Sequence, residues 1–141
     1  MNQHYELDAS VVHKTWNKDI EPRLTIESGD TISFGTRDAA DLYYSPTSVS
    51  EDIEKRGPFV GHPLTGPVYV RDAVPGDVLA IEVRAMEFTS NFGWTAVRKG
   101  RGLLPDRDVR RPYLQIWDIT DGRYARMPQR EDIAVPVAPF A

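Results

Sequence analysis

Two carboxylates, Asp38 and Asp41, stand three residues apart just beyond Thr31 to Phe34, a run whose alternation predicts a strand. A loop there can turn both toward one point. With His13 or His62 they would give a mixed oxygen and nitrogen donor set for a divalent cation, or an acid/base set. Spacing alone also allows a plainer role, a turn pair capping loop backbone. His62 precedes Pro63, which biases it to extended backbone. It either enters a site or bonds a loop carbonyl. His13 has the same two readings, with Trp16 and Asn17 close behind it. Thr65 and Gly66 would present hydroxyl and backbone donors, or simply close a tight turn before Pro67 opens a strand. Tyr43 and Tyr44 would wall a small pocket. Asp106 is read as a solvated loop carboxylate, Trp94 and Trp117 as core or interface, and His4 as part of a disordered terminus.

The elements that must position these groups read as strands. Eleven prolines and ten glycines leave few windows long enough for a helix. Period-two alternation marks Arg23 to Ile26, Thr31 to Phe34, Pro67 to Val70, Val78 to Val83, Thr95 to Arg98, Tyr113 to Asp118 and Tyr124 to Met127. Asp121-Gly122 is a hairpin turn signal between the last two. Leu24 to Phe34 and Tyr69 to Val83 echo each other weakly, each placing Gly-Asp at a turn between extended segments. Gly29 and Gly76 would supply positive φ. Two longer connections, Asp38 to Pro58 and Lys99 to Pro112, are where a site is expected. Glu51 to Arg56 fits one helical turn capped by Ser48 or Ser50.

Composition narrows the function. The 141 residues suit a single domain, residues 1–141. A net charge of -4 gives no electrostatic reason to expect nucleic acid or an anionic membrane as partner. The absence of cysteine excludes disulfides, thiolate metal sites, a Cys nucleophile and a cupredoxin-like copper centre. No apolar stretch approaches the length of a membrane span and no secretory signal opens the chain, so a cytoplasmic location is expected. There is no G-x-S-x-G elbow, no H-E-x-x-H and no phosphate-binding Gly loop.

The stretch Gly61-His-Pro-Leu-Thr-Gly-Pro-Val-Tyr-Val70, followed by Pro75-Gly-Asp-Val-Leu79, resembles the signature of the acetamidase/formamidase family. Three more stretches resemble the same family in order. They are His13-Lys-Thr-Trp-Asn17; Leu24 to Asp30 with Phe34-Gly-Thr-Arg-Asp-Ala-Ala-Asp41; and Gly93-Trp-Thr-Ala-Val97 with Gly102 to Asp106. The resemblance runs from about His13 to Phe140. Three departures stand beside it. Members of this family are typically about twice as long. The Gly/Asn-rich element that comes later in them is absent, and Leu42-Tyr43 follows the "DA-x-D" motif where Gly-Gln is usual. The expectation is the N-terminal half of a typical member, whether a short natural protein, a decayed product, a fragment or half of a split enzyme.

The resemblance implies a mostly-β fold, a two-sheet antiparallel sandwich with jelly-roll-like character and long loops. It implies hydrolysis of small linear amides to ammonia and a carboxylate. Asp38, Asp41 and His13 would be catalytic, and the same three would hold a divalent metal ion, zinc or calcium, if one is used. His62, Thr65, Gly66 and Tyr43 would bind substrate. The alternative is a non-catalytic structural or binding domain whose catalytic partners lie elsewhere. Expected partners are a small amide and either further copies of the chain or a missing C-terminal half.

Overall fold

The computed structural model describes residues 2–103 and 110–137. Extended structure dominates, and the one α-helix among the described residues, α1 (Asp52–Lys55), is a single turn. The chain divides into two compact units, Met1–Tyr43 with Phe59–Ile81 and Tyr44–Pro58 with Glu82–Ala141.

The first unit is built from three two-stranded ladders. Strand β1 (His4–Leu7) runs parallel to β4 (Thr31–Phe34), pairing His4 with Thr31 and Leu7 with Phe34. Strand β2 (Val12–His13) pairs antiparallel with β5 (Leu64–Thr65). Strand β3 (Leu24–Ile26) runs parallel to β6 (Val68–Val70), and the N–H groups of Arg23 and Arg71 extend that ladder at both ends. The opening strands of the two segments that echo each other in sequence are therefore parallel neighbours. Leu7, Ala40 and Pro63 are the buried apolar side chains among the described residues of this unit. Arg23 ties its loops, donating from one guanidinium nitrogen to the carbonyls of Asp8 (2.7 Å) and Val11 (2.8 Å).

The second unit is an antiparallel four-stranded sheet in the order β10-β9-β8-β7, made of β7 (Phe92–Val97), β8 (Tyr113–Asp118), β9 (Tyr124–Met127) and β10 (Arg130–Pro136). Its buried side chains are Tyr44, Ile53, Leu114, Gln115 and Ile116. Burying Gln115 is tolerable because its amide group is hydrogen-bonded, accepting from the Tyr113 hydroxyl (2.6 Å) and donating to the Gln129 side chain (3.0 Å). At the β8–β9 turn, Asp121 accepts from the N–H groups of Tyr124 and Arg123, both at 2.8 Å, and Gly122 has φ +64°. Those hydrogen bonds, led by that from Tyr124, lower the Asp121 pKa to about 2.

The mostly-β class holds. Among the described residues the strands form four sheets, however, and β1–β4 and β3–β6 are parallel, which two antiparallel sheets would not contain. Strands β3, β4, β6, β8 and β9 lie where alternation places them, and β7 begins three residues earlier than expected. Val78 to Val83 joins no ladder among the described residues. His4 is not a loose end, because β1 includes it and its Nε2 lies 3.0 Å from the Ser33 hydroxyl. Neither serine caps α1, whose N-cap is Glu51 without a side-chain bond. Ser50 instead accepts from the Leu114 N–H of β8 (3.0 Å), and Ser48 accepts from the Ser45 N–H.

Candidate active site

Of the described candidate site residues, His13, Asp38, Asp41, Tyr43, His62, Thr65 and Gly66 lie in the first unit, and Tyr44, Trp94 and Trp117 in the second. Three short segments meet in the first unit, each bound to the other two. The β2–β5 ladder joins the first and second, placing His13 opposite Leu64 and Val12 opposite Thr65. Gly61 adds to this join. Its φ is +108°, and any Cβ there would run into the Lys14 carbonyl, so only glycine lets the chain pass so closely. The Thr65 hydroxyl donates to the Gly35 carbonyl at 2.6 Å, joining the second segment to the third. Lys14 closes the circuit, its ammonium 2.6 Å from an oxygen of Asp41.

Asp41 is the electrostatic centre of this arrangement. Its second oxygen accepts from Arg37 at 2.9 Å. Hydrogen bonds from Lys14 first, and from Arg37 second, hold its pKa below the usual carboxylate value. Arg37 cannot swing away easily, since its other nitrogens donate to the carbonyls of Ala9 and Ser10, both at 2.8 Å. Asp41 and Leu42 both adopt left-handed backbone, φ 59° and 61°. Two successive non-glycine residues in that region store strain that the surroundings must hold.

Asp38 supplies that hold. Its carboxylate accepts from the N–H groups of Ala40 (2.6 Å) and Leu42 (2.9 Å), and its carbonyl accepts from Asp41 (2.9 Å). Of the two roles the sequence allows, turn capping is the one these bonds display. His13 Nδ1 lies 3.0 Å from the Thr15 carbonyl. A carbonyl only accepts, so Nδ1 carries the proton and neutral His13 keeps its lone pair on Nε2. His62 packs edge-on to Phe59, with ring centroids 5.0 Å apart. The Thr65 hydroxyl proton is committed to Gly35. Gly66, φ +129°, precedes Pro67 through a cis peptide. Tyr43 is 41% exposed and its N–H donates to Ala40. Tyr44 belongs to the second unit, where it is buried against Trp94 with ring centroids 4.8 Å apart. Trp117, whose indole donates to Thr95 at 3.0 Å, is half-buried in the same unit.

Among the described residues no three His, Asp or Glu side chains form a group that could hold a metal ion. Asp38, Asp41 and His13 therefore do not make the expected ligand set by themselves. One carboxylate is spent on a turn and the other lies between two cations. Asp106 falls outside the described residues. Lys14 and Arg37 escape a reading of the sequence because the basic residues look scattered. The available signal is position, since each lies inside a motif beside a residue already singled out.

This geometry holds an ionised carboxylate, side chain 23% exposed, with an ammonium and a guanidinium on its two oxygens. Comparison with known proteins gives that arrangement a context. The model of the Acetamidase/Formamidase family matches residues 1–141. A Schizosaccharomyces pombe protein assigned as a formamidase is 29% identical over 83 residues, covering 59% of this chain and 20% of the yeast protein. The crystal structure of a predicted acetamidase/formamidase from Thermoanaerobacter tengcongensis superposes with a TM-score of 0.73 at 27% identity. It covers 97% of this chain and 43% of that one. An acetamidase from Bacillus halodurans matches with a TM-score of 0.72 at 21% identity, over 93% of this chain and 42% of its own, a likeness of fold. The chain thus spans less than half the length of these solved relatives.

Proposed function

This chain belongs to the acetamidase/formamidase family, and we propose that it carries part of an amidohydrolase site for small linear amides, releasing ammonia and a carboxylate. The observation that supports this most is the mutual binding of the three segments around Asp41, with Lys14 at 2.6 Å and Arg37 at 2.9 Å. Amide hydrolysis needs an oriented water, stabilisation of the developing oxyanion and a proton for departing ammonia. Asp41, kept ionised, orients the water or the amide NH2. Lys14 faces the oxyanion. His13, with its Nδ1 proton fixed on Thr15, accepts and returns a proton at Nε2. Asp38 positions Asp41 through the turn it caps. His62, Gly66 and Tyr43 line the approach for the amide. Zinc or calcium enters no step, because its ligands would have to come from beyond the described residues. The substrate reaches this site in the cytoplasm. No helix among the described residues is long and apolar enough to cross a membrane.

One observation favours a second reading, a structural or binding part whose chemistry lies on other polypeptide. Asp38 is engaged by backbone and Asp41 by two cations before any substrate arrives. Ammonia release from formamide and acetamide, measured on the folded chain, separates the two. The hydrolase reading expects release that falls about 100-fold in Asp41→Asn, the scale on which loss of a catalytic electrostatic group acts. It expects a smaller fall in Lys14→Met. Silence with every small amide from a folded sample selects the second reading.

A further inference from the structure

A pocket of about 200 Å³ lies wholly within the second unit and shares no residue with the site above. Tyr44 and Ile53, both buried, give it apolar walls, and Tyr44 packs against Trp94, which also lines it. Trp94, Ala96 and Arg98 face it together. Alternation along β7 explains this, because every second residue of a strand shares a face. Ala96 keeps that face low between two large side chains. Two further arginines complete the lining, Arg56 at the end of α1 and Arg101 in the loop beyond β7. No carboxylate lines the pocket among the described residues, although the whole chain carries a net charge of -4. The side chains of Arg98 and Arg101 make no ion pair or hydrogen bond among the described residues. Arg98 is half-buried. A guanidinium held partly out of water without a counter-ion costs free energy that an anion would recover.

We propose that this pocket binds a small aromatic carboxylate, its ring against Trp94 and its carboxylate on the guanidinium groups of Arg98 and Arg101. Size argues for a single ring, since sites for drug-sized molecules occupy about 300 to 1,000 Å³. The aromatic wall suits a flat apolar body. The fork of an arginine presents two parallel N–H donors, which match the two oxygens of a carboxylate. All the walls belong to one compact unit, so the site borrows no residue from the first. It does not depend on the hydrolase reading.

Nuclear magnetic resonance of the indole N–H groups, titrated with sodium benzoate, tests the proposal. The chain has three tryptophans, and two of them serve as controls. Trp16 is in the first unit. Trp117 lies opposite Gly93 in the β7–β8 ladder and so shares the face that Trp94 does not. The Trp94 signal, identified by its loss in Trp94→Phe, is expected to shift saturably, half-complete on the order of 1 mM, the strength of so small a ligand. The other two signals are expected to stay. Benzyl alcohol keeps the ring without the charge, and acetate the charge without the ring. Each is expected to bind about tenfold more weakly than benzoate. Arg98→Gln is expected to raise the half-saturating concentration about tenfold, and Arg101→Gln, at an exposed position, about threefold. Unmoved Trp16 and Trp117 signals will confirm that both variants fold. A Trp94 signal that never saturates with benzoate overturns the proposal. So does acetate or benzyl alcohol binding as well as benzoate, or a shift that both arginine variants leave unchanged.

Discussion

The turns at Gly29 and Gly76 are built alike, but the chain beyond them behaves differently. In the first, the Asp30 N–H donates to the Glu27 carbonyl (3.2 Å) while its carboxylate accepts from the Glu27 N–H (2.9 Å). In the second, Asp77 repeats both bonds on Val74, at 3.1 Å and 2.9 Å. Each glycine has strongly positive φ, +91° and +107°. Beyond Asp30 the chain enters β4 and pairs with β1. Beyond Asp77 an equally strand-like sequence pairs with no strand among the described residues. A turn is a local event, settled by four residues. A strand needs a partner, and sequence alternation records the wish for one without supplying it.

The largest test contrasts two glycines whose backbones match and whose surroundings do not. Gly61 and Gly76 have φ of +108° and +107°. A Cβ at Gly76 meets nothing within 4 Å, whereas at Gly61 it strikes the Lys14 backbone. Gly76→Ala is expected to cost about 1 kcal/mol from the φ alone, and Gly61→Ala about 3 kcal/mol, read by denaturant melts. Equal losses would mean that the close approach of the three segments is absent.

A second contrast places the same truncation after each turn. Ile32 is half-buried in β4, and Ile81 stands 79% exposed. Ile32→Ala is expected to cost about 1.5 kcal/mol, and Ile81→Ala less than about 0.5 kcal/mol. A large loss at Ile81 would show that the segment is already covered.

The smallest contrast is in pH. Asp30 also accepts from the Gln3 N–H at 2.8 Å, which ties its turn to the strand beside it. That bond first, and the one from Glu27 second, lower the Asp30 pKa. A carboxylate with a depressed folded pKa lends stability that is present above its unfolded value. That contribution is lost as pH falls through the folded value. Melting temperature is therefore expected to decline below about pH 4, the unfolded carboxylate range. Asp121 continues that decline toward its folded pKa of about 2. Asp30→Ala should flatten part of the slope and Asp121→Ala a further part.

Much of the architecture is legible where the deciding interactions are local. Strands β8 and β9 fall at the residues that alternation marks, and the Asp121-Gly122 turn joins them. Strands β1, β2 and β5 carry no such mark. Two of them are two residues long, and all three exist only through pairings across 27 or more positions, which no window shows. The site is partly legible. The motif segments do meet, but Asp38 serves the turn, and the cations that set the state of Asp41 are a lysine and an arginine that spacing rules do not flag.

Hydrogen exchange resolved by segment tests the contrast between the two strand sequences most directly. The amides of Thr31 and Gly35, which donate to the carbonyls of Gln3 at 2.9 Å and Leu7 at 2.8 Å, are expected to be protected, while those of Leu79 to Phe88 exchange freely. Strong protection of Leu79 to Phe88 would contradict the account, because that segment would then already have its partner within one chain.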